Sequence, residues 1–76
     1  ILLYPNPSSN IITISSKLLP DSYVIYNTLG QVLRKSQVNS NTDTDLSINV
    51  ETLNDGIYFI KLTKDNSSQV LSFIKN

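Results

Sequence analysis

Six carboxylates, Asp21, Asp43, Asp45, Glu51, Asp55 and Asp65, are the side chains of this 76-residue sequence best suited to acid–base work, and their spacing argues against it. Paired carboxylates act as acid and base when an enclosed site drives their pKa values apart. Here they are scattered over turn-rich segments of a chain too short to enclose a deep pocket. Histidine and cysteine are absent. That excludes Ser-His and Cys-His activation of a nucleophile, thiolate metal sites and disulfides. The serines fall mostly in loops and strand edges and read as polar surface. Neither an enzyme nor a cofactor is expected.

Other residue patterns have a chemical and a plain reading side by side. Asp43-Thr44-Asp45, with Asn39 and Asn41 upstream, supplies oxygen ligands at alternate positions as a calcium loop does, but without the glycine and closing glutamate of an EF-hand. A solvated loop between sheets explains it better. The four tyrosines can be read as a sugar-stacking platform. Tyr23, Tyr26 and Tyr58 lie within strand patterns, however, where tyrosine is usually packed with its hydroxyl reaching a rim partner. Asn66-Ser67-Ser68 matches an N-glycosylation acceptor, a motif short enough to arise by chance. Six basic and six acidic residues give a formal net charge of zero, with no basic cluster, so nucleic acid is not an expected partner. No apolar run approaches the twenty or so residues of a membrane-spanning helix, and no transmembrane segment is expected. The chain opens Ile1-Leu2-Leu3 without a basic flank or a signal-peptide pattern, and is read as a single domain, residues 1–76, cut from a larger secreted protein.

The elements that carry these residues are strands. Apolar and polar residues alternate with period two, β-branched and aromatic types fill the alternating segments, and no window shows helical spacing. Strands are expected at residues 2–4, 11–15, 23–27, 31–37, 45–50, 57–63 and 69–75. Gly30 closes Asn27-Thr28-Leu29-Gly30, where a hairpin loop needs positive φ, and Gly56 ends Asn54-Asp55-Gly56 in the same way. Lys64-Asp65-Asn66-Ser67-Ser68 is expected to be a five-residue hairpin tip, and the polar stretch 39–44 a crossing between sheets. Seven short antiparallel strands in about 75 residues define an immunoglobulin-like, fibronectin-like β-sandwich.

Pleat phase assigns some faces. Ile12, Ile14, Leu46, Ile48 and Val50 point inward, as do Tyr58, Ile60 and Leu62, because Lys61 shares a face with Ile57 and Phe59. Phe59 is then expected to be exposed. The last strand stays open: Val70 and Ile74 lie on one side, Leu71 and Phe73 on the other, and Lys75 is its sole charge. Apolar residues on both faces of the last two strands fit either an outer strip for a partner or burial under a loop.

Four motifs in order, Tyr4-Pro5-Asn6-Pro7, Tyr26-Asn27-Thr28-Leu29-Gly30-Gln31-Val32, Leu53-Asn54-Asp55-Gly56-Ile57-Tyr58 and a closing Ser72-Phe73-Ile74-Lys75, span nearly the whole chain. Together they resemble the type A C-terminal sorting domain of type IX secretion cargo from Bacteroidetes. The entry motif also has a structural account, since two prolines fix φ, remove two amide donors and lead the chain into a sheet. The resemblance implies a seven-stranded sandwich at the C-terminus of a fused cargo, folded in the periplasm in transit and then delivered to the cell surface or medium. It implies recognition by the type IX translocon and an outer-membrane shuttle barrel, and removal by a sortase-like cell-surface peptidase. It further places Tyr4, Pro5, Asn6, Pro7, Gly30, Gly56, Tyr58, Phe73, Ile74 and Lys75 at family motif positions. This sequence departs from the family in lacking a valine-rich final run and a glycine at the last hairpin tip. The competing class is a carbohydrate-binding or spacer module of a secreted glycan-active enzyme.

Overall fold

The computed structural model describes residues 2–5, 10–15, 20–38 and 45–76. Its strands are β1 (Leu2–Tyr4), β2 (Ile11–Ser15), β3 (Ser22–Asn27), β4 (Val32–Gln37), β5 (Asp45–Asn49), β6 (Gly56–Lys64) and β7 (Ser67–Lys75). None of the described residues is helical. The strands form a three-stranded sheet of order β1-β2-β5 and a four-stranded sheet of order β4-β3-β6-β7, with every pair antiparallel. This is the expected sandwich. The change of sheet between β4 and β5 falls at the polar stretch read as a crossing, and residues 39–44 themselves lie outside the described residues.

The core is made by the inward phase of both sheets. Ile12, Ile14, Ile48 and Val50 from one side meet Tyr23, Ile25, Tyr58, Ile60, Leu62 and Phe73 from the other. Leu46, assigned to the core from its pleat phase, is partly buried and packs at the margin with Leu3, Leu53 and Leu71. Arg34, on the inward side of β4 opposite Ile25, bridges the sheets at their open side. Its guanidinium donates to the Asn49 carbonyl and to Thr52 Oγ1, the latter at 3.4 Å.

One expectation about the closing hairpin is corrected. The five-residue tip is a two-residue turn, Asp65-Asn66, because Lys64 pairs with Ser67 and Thr63 with Ser68. Serine and lysine marked those positions as loop. At the far end of a two-stranded ribbon both faces are wet, so polar residues there remain fully compatible with strand pairing. The missing tip glycine is replaced by Asp65 at φ 54, a conformation that aspartate tolerates better than most residues. The Asp21 carboxylate holds this turn by accepting the Asp65 backbone N–H at 2.9 Å and the Lys64 ammonium at 3.2 Å.

The phase left open in β7 is settled by packing. Phe73 is fully buried, whereas Val70 and Ile74 are 49% and 43% exposed. Lys75 therefore lies on the inward side, only 7% exposed, although it is charged.

Candidate recognition surface

The motif residues separate into one assembled group and several dispersed positions. In the β6–β7 register Gly56 faces Lys75, Ile57 faces Ile74 and Tyr58 faces Phe73. Two motifs separated in the sequence are thus one block of cross-strand partners. The Tyr58 and Phe73 rings stack inside the core with centroids 5.6 Å apart. The Tyr58 hydroxyl reaches back to donate to the Asn54 carbonyl at 2.5 Å, so the ring pins the turn that precedes its own strand. Gly56 opens that strand at φ +153, a backbone region that side-chain-bearing residues avoid. On the inward face the Lys75 ammonium donates to the Asn76 carbonyl at 3.2 Å and lies 4.0 Å from the carboxylate of Asp55, the residue before Gly56. Turn and terminal strand are joined covalently at neither point, yet glycine, tyrosine, phenylalanine and lysine hold them together.

Gly30 sits at the same end of the four-stranded sheet, since Asn27, where its loop begins, pairs with Tyr58. Its φ of 82 meets the requirement read from sequence. The loop is organised by Asn27, whose Oδ1 accepts from the N–H groups of Leu29 at 2.9 Å and Gln31 at 3.1 Å while its Nδ2 donates to the Gln31 side chain at 2.9 Å. Asn27 and Gln31 escaped the reading of site residues. Their signal was present, because asparagine at the start of a turn mimics a backbone turn with its own side chain. Tyr4 and Pro5 belong to the other sheet: Tyr4 ends β1 opposite Thr13, is exposed, and is joined to Pro5 by a cis bond. Asn6 and Pro7 lie outside the described residues.

The tyrosines make no stacking platform among the described residues. Tyr23 and Tyr58 are buried in the core, and Tyr26 is half-buried against Phe59, with centroids 5.6 Å apart and planes inclined by 24°. Phe59 points outward as expected, and this contact leaves it half-covered rather than free. The alternative of burial under a loop does not apply to the rest of the outer side of the last two strands, where Ile57, Val70 and Ile74 are exposed. Among the described residues no group of His, Cys, Asp and Glu is arranged to hold a metal, and no helix is long and apolar enough to cross a membrane. The calcium reading rests chiefly on residues 39–44, outside those described.

The fold and the motif block define a β-sandwich domain in which a turn is fixed against a closing strand. Comparison with known proteins gives the class its name. The family model of the secretion system C-terminal sorting domain matches residues 2–76, and the chain belongs to that family. The family serves as an export signal and is non-catalytic. The chain is also 32% identical over 71 residues, 91% of its own length, to Beta-agarase A of Zobellia galactanivorans. It spans 13% of the length of that relative. No solved structure matches.

Proposed function

We propose that this domain is the C-terminal address of a larger exported protein, read in its folded form by the type IX outer-membrane machinery through the closing β6–β7 hairpin. The observation that carries this reading is the register block that joins Gly56 and Tyr58 to Phe73, Ile74 and Lys75. It terminates in β7, a nine-residue edge strand without proline or bulge. Such an edge offers main-chain groups to an added strand, with alternate side chains giving choice of partner. The other edges are less available. β1 has three residues and runs into Pro5, β5 has five against the nine of β7, and β4 carries an irregularity opposite Ile25 and Tyr26. The cargo precedes the domain, crosses the periplasm with it, and passes the outer membrane through the translocon and its shuttle barrel. A sortase-like peptidase at the surface then removes the domain.

The test is residues 1–76 fused behind a periplasmic fluorescent reporter in a bacterium with an intact type IX system. Fluorescence in the medium or on the surface, lost in a translocon mutant, is the expected result. Retention of a folded, protease-resistant fusion in the periplasm overturns the reading and turns attention to glycan binding. Removal of residues 73–76 is expected to abolish export, but it also removes Phe73 from the core. Protease resistance of the retained protein therefore has to be measured alongside.

A further inference from the structure

The outer face of the four-stranded sheet has an uneven chemistry that the closing hairpin alone does not use. Cross-strand register aligns Val32, Tyr26 and Phe59 in one row and Ile57 with Ile74 in the next. Ile57 is 52% exposed, and Val32 and Ile74 are also open to solvent. One step the other way along the strands, Val24 is flanked by Lys35 on one side and Lys61 on the other, both exposed. No acidic residue occupies any position that the register places on this face, although the chain has as many acids as bases. The outer face of the three-stranded sheet differs, since its strands are shorter and Asp45 pairs into it opposite Ser15.

We infer that this face is a docking surface for a protein partner that presents an apolar patch bordered by carboxylates. The inference rests on the export reading and extends it, naming a sheet face beside the edge strand and the charge its receptor must carry. The complementarity is specific in its layout. The Tyr26–Phe59 stack forms an aromatic centre, a type of residue enriched in the energetic core of interfaces; Lys61 lies about 7 Å from it, two residues of strand rise along β6, and Lys35 pairs with Val24, two residues from Tyr26 on β3. Lysines at that distance meet carboxylates bordering the apolar contact and steer encounter as well as register. A protein surface fits better than a lipid one, because the register places only two cations, Lys35 and Lys61, on this face, and not the cluster of basic residues by which anionic bilayers are gripped.

The experiment compares the reporter fusion with two outer-face variants, Ile57→Ser with Ile74→Ser and Lys35→Glu with Lys61→Glu, and with Ile11→Ser on the opposite sheet as control. Each fusion is checked for protease resistance and thermal midpoint in periplasmic extract. Export of both folded face variants is expected to fall about tenfold or more, as loss of one interface hot spot can do, while the control stays within about twofold of wild type. Wild-type efficiency in both face variants overturns the inference and leaves the export reading standing. Retention of the wild-type fusion sinks both together. Normal export by the lysine variant, together with loss of binding to anionic phospholipid vesicles that the wild-type domain shows, overturns the protein partner in favour of a lipid surface.

Discussion

Lys75 occupies a position in the pleat where its neighbours are Phe73 and, at the margin, Leu71, and it is accommodated because its amine is at the end of the sandwich. The aliphatic stem lies on the core while the ammonium reaches the Asn76 carbonyl and approaches Asp55, whose side chain is mostly solvated. A pair so loosely made adds little, so Lys75→Met is expected to leave the thermal midpoint unchanged or raise it. A lower midpoint by circular dichroism would show that the charge is structural. Phe73 is the opposite case. Its truncation to alanine costs about 3–5 kcal/mol, against a total of roughly 4–11 kcal/mol for a domain of this size. Phe73→Ala is accordingly expected to unfold at far lower urea, if it folds at all. At Gly56 an added Cβ meets nothing within 4 Å, so Gly56→Ala isolates backbone strain and should cost about 1–3 kcal/mol in a urea titration. Asp21 gives the pH dependence. The Asp65 backbone N–H, and then the Lys64 ammonium, hold its carboxyl below the ordinary 3.8. Its contribution is therefore complete above the unfolded value and is lost as pH falls through the lower folded one. In Asp21→Asn that part of the acid limb of the urea midpoint should flatten.

At the scale of elements, the central strands β3 and β6 are paired on both sides, whereas β1 has three residues and a single partner. Amide exchange should follow this order, with Ile25 and Ile60 slowest and Leu3 among the fastest of the strand amides. Faster exchange in β6 than in β1 would contradict the pairing. Arg34 acts between elements, since its guanidinium ties edge strand β4 to Asn49 and Thr52 of the facing sheet and its exit turn. Arg34→Lys keeps the charge but loses the fork that reaches both acceptors, and is expected to cost about 1 kcal/mol in a urea titration. No change would mean that the bridge contributes nothing measurable.

For the whole molecule, the proposed division of labour is between a buried interior that fixes the β6–β7 block and an outer surface that a receptor reads. A domain without cysteine has no disulfide to staple it and depends on one small core for its stability. Export mutants in core positions such as Phe73 and Ile60 and export mutants on the outer face at Ile57 or Lys61 should therefore differ in kind. The former should lose protease resistance, while the latter should keep it.

Strand positions, both glycine turns and the sandwich were legible in the linear sequence, because each depends on period-two patterning or local φ requirements alone. The family was legible for a related reason, as its motifs keep their order and spacing. Asn6 and Pro7 were read from that spacing, and their placement lies outside the described structure. The phase of β7 was not legible: both of its faces are apolar, and its one charge, on the long flexible stem of Lys75, follows Phe73 inward and finds polar partners at the end of the core. Nor could sequence show that Gly56, Tyr58, Phe73 and Lys75 form one block, or that Lys35 and Lys61 flank the same valine. Those are facts of cross-strand register, which depends on how two sheets pack and on which side chains they exclude from water, and only the tertiary structure decides it.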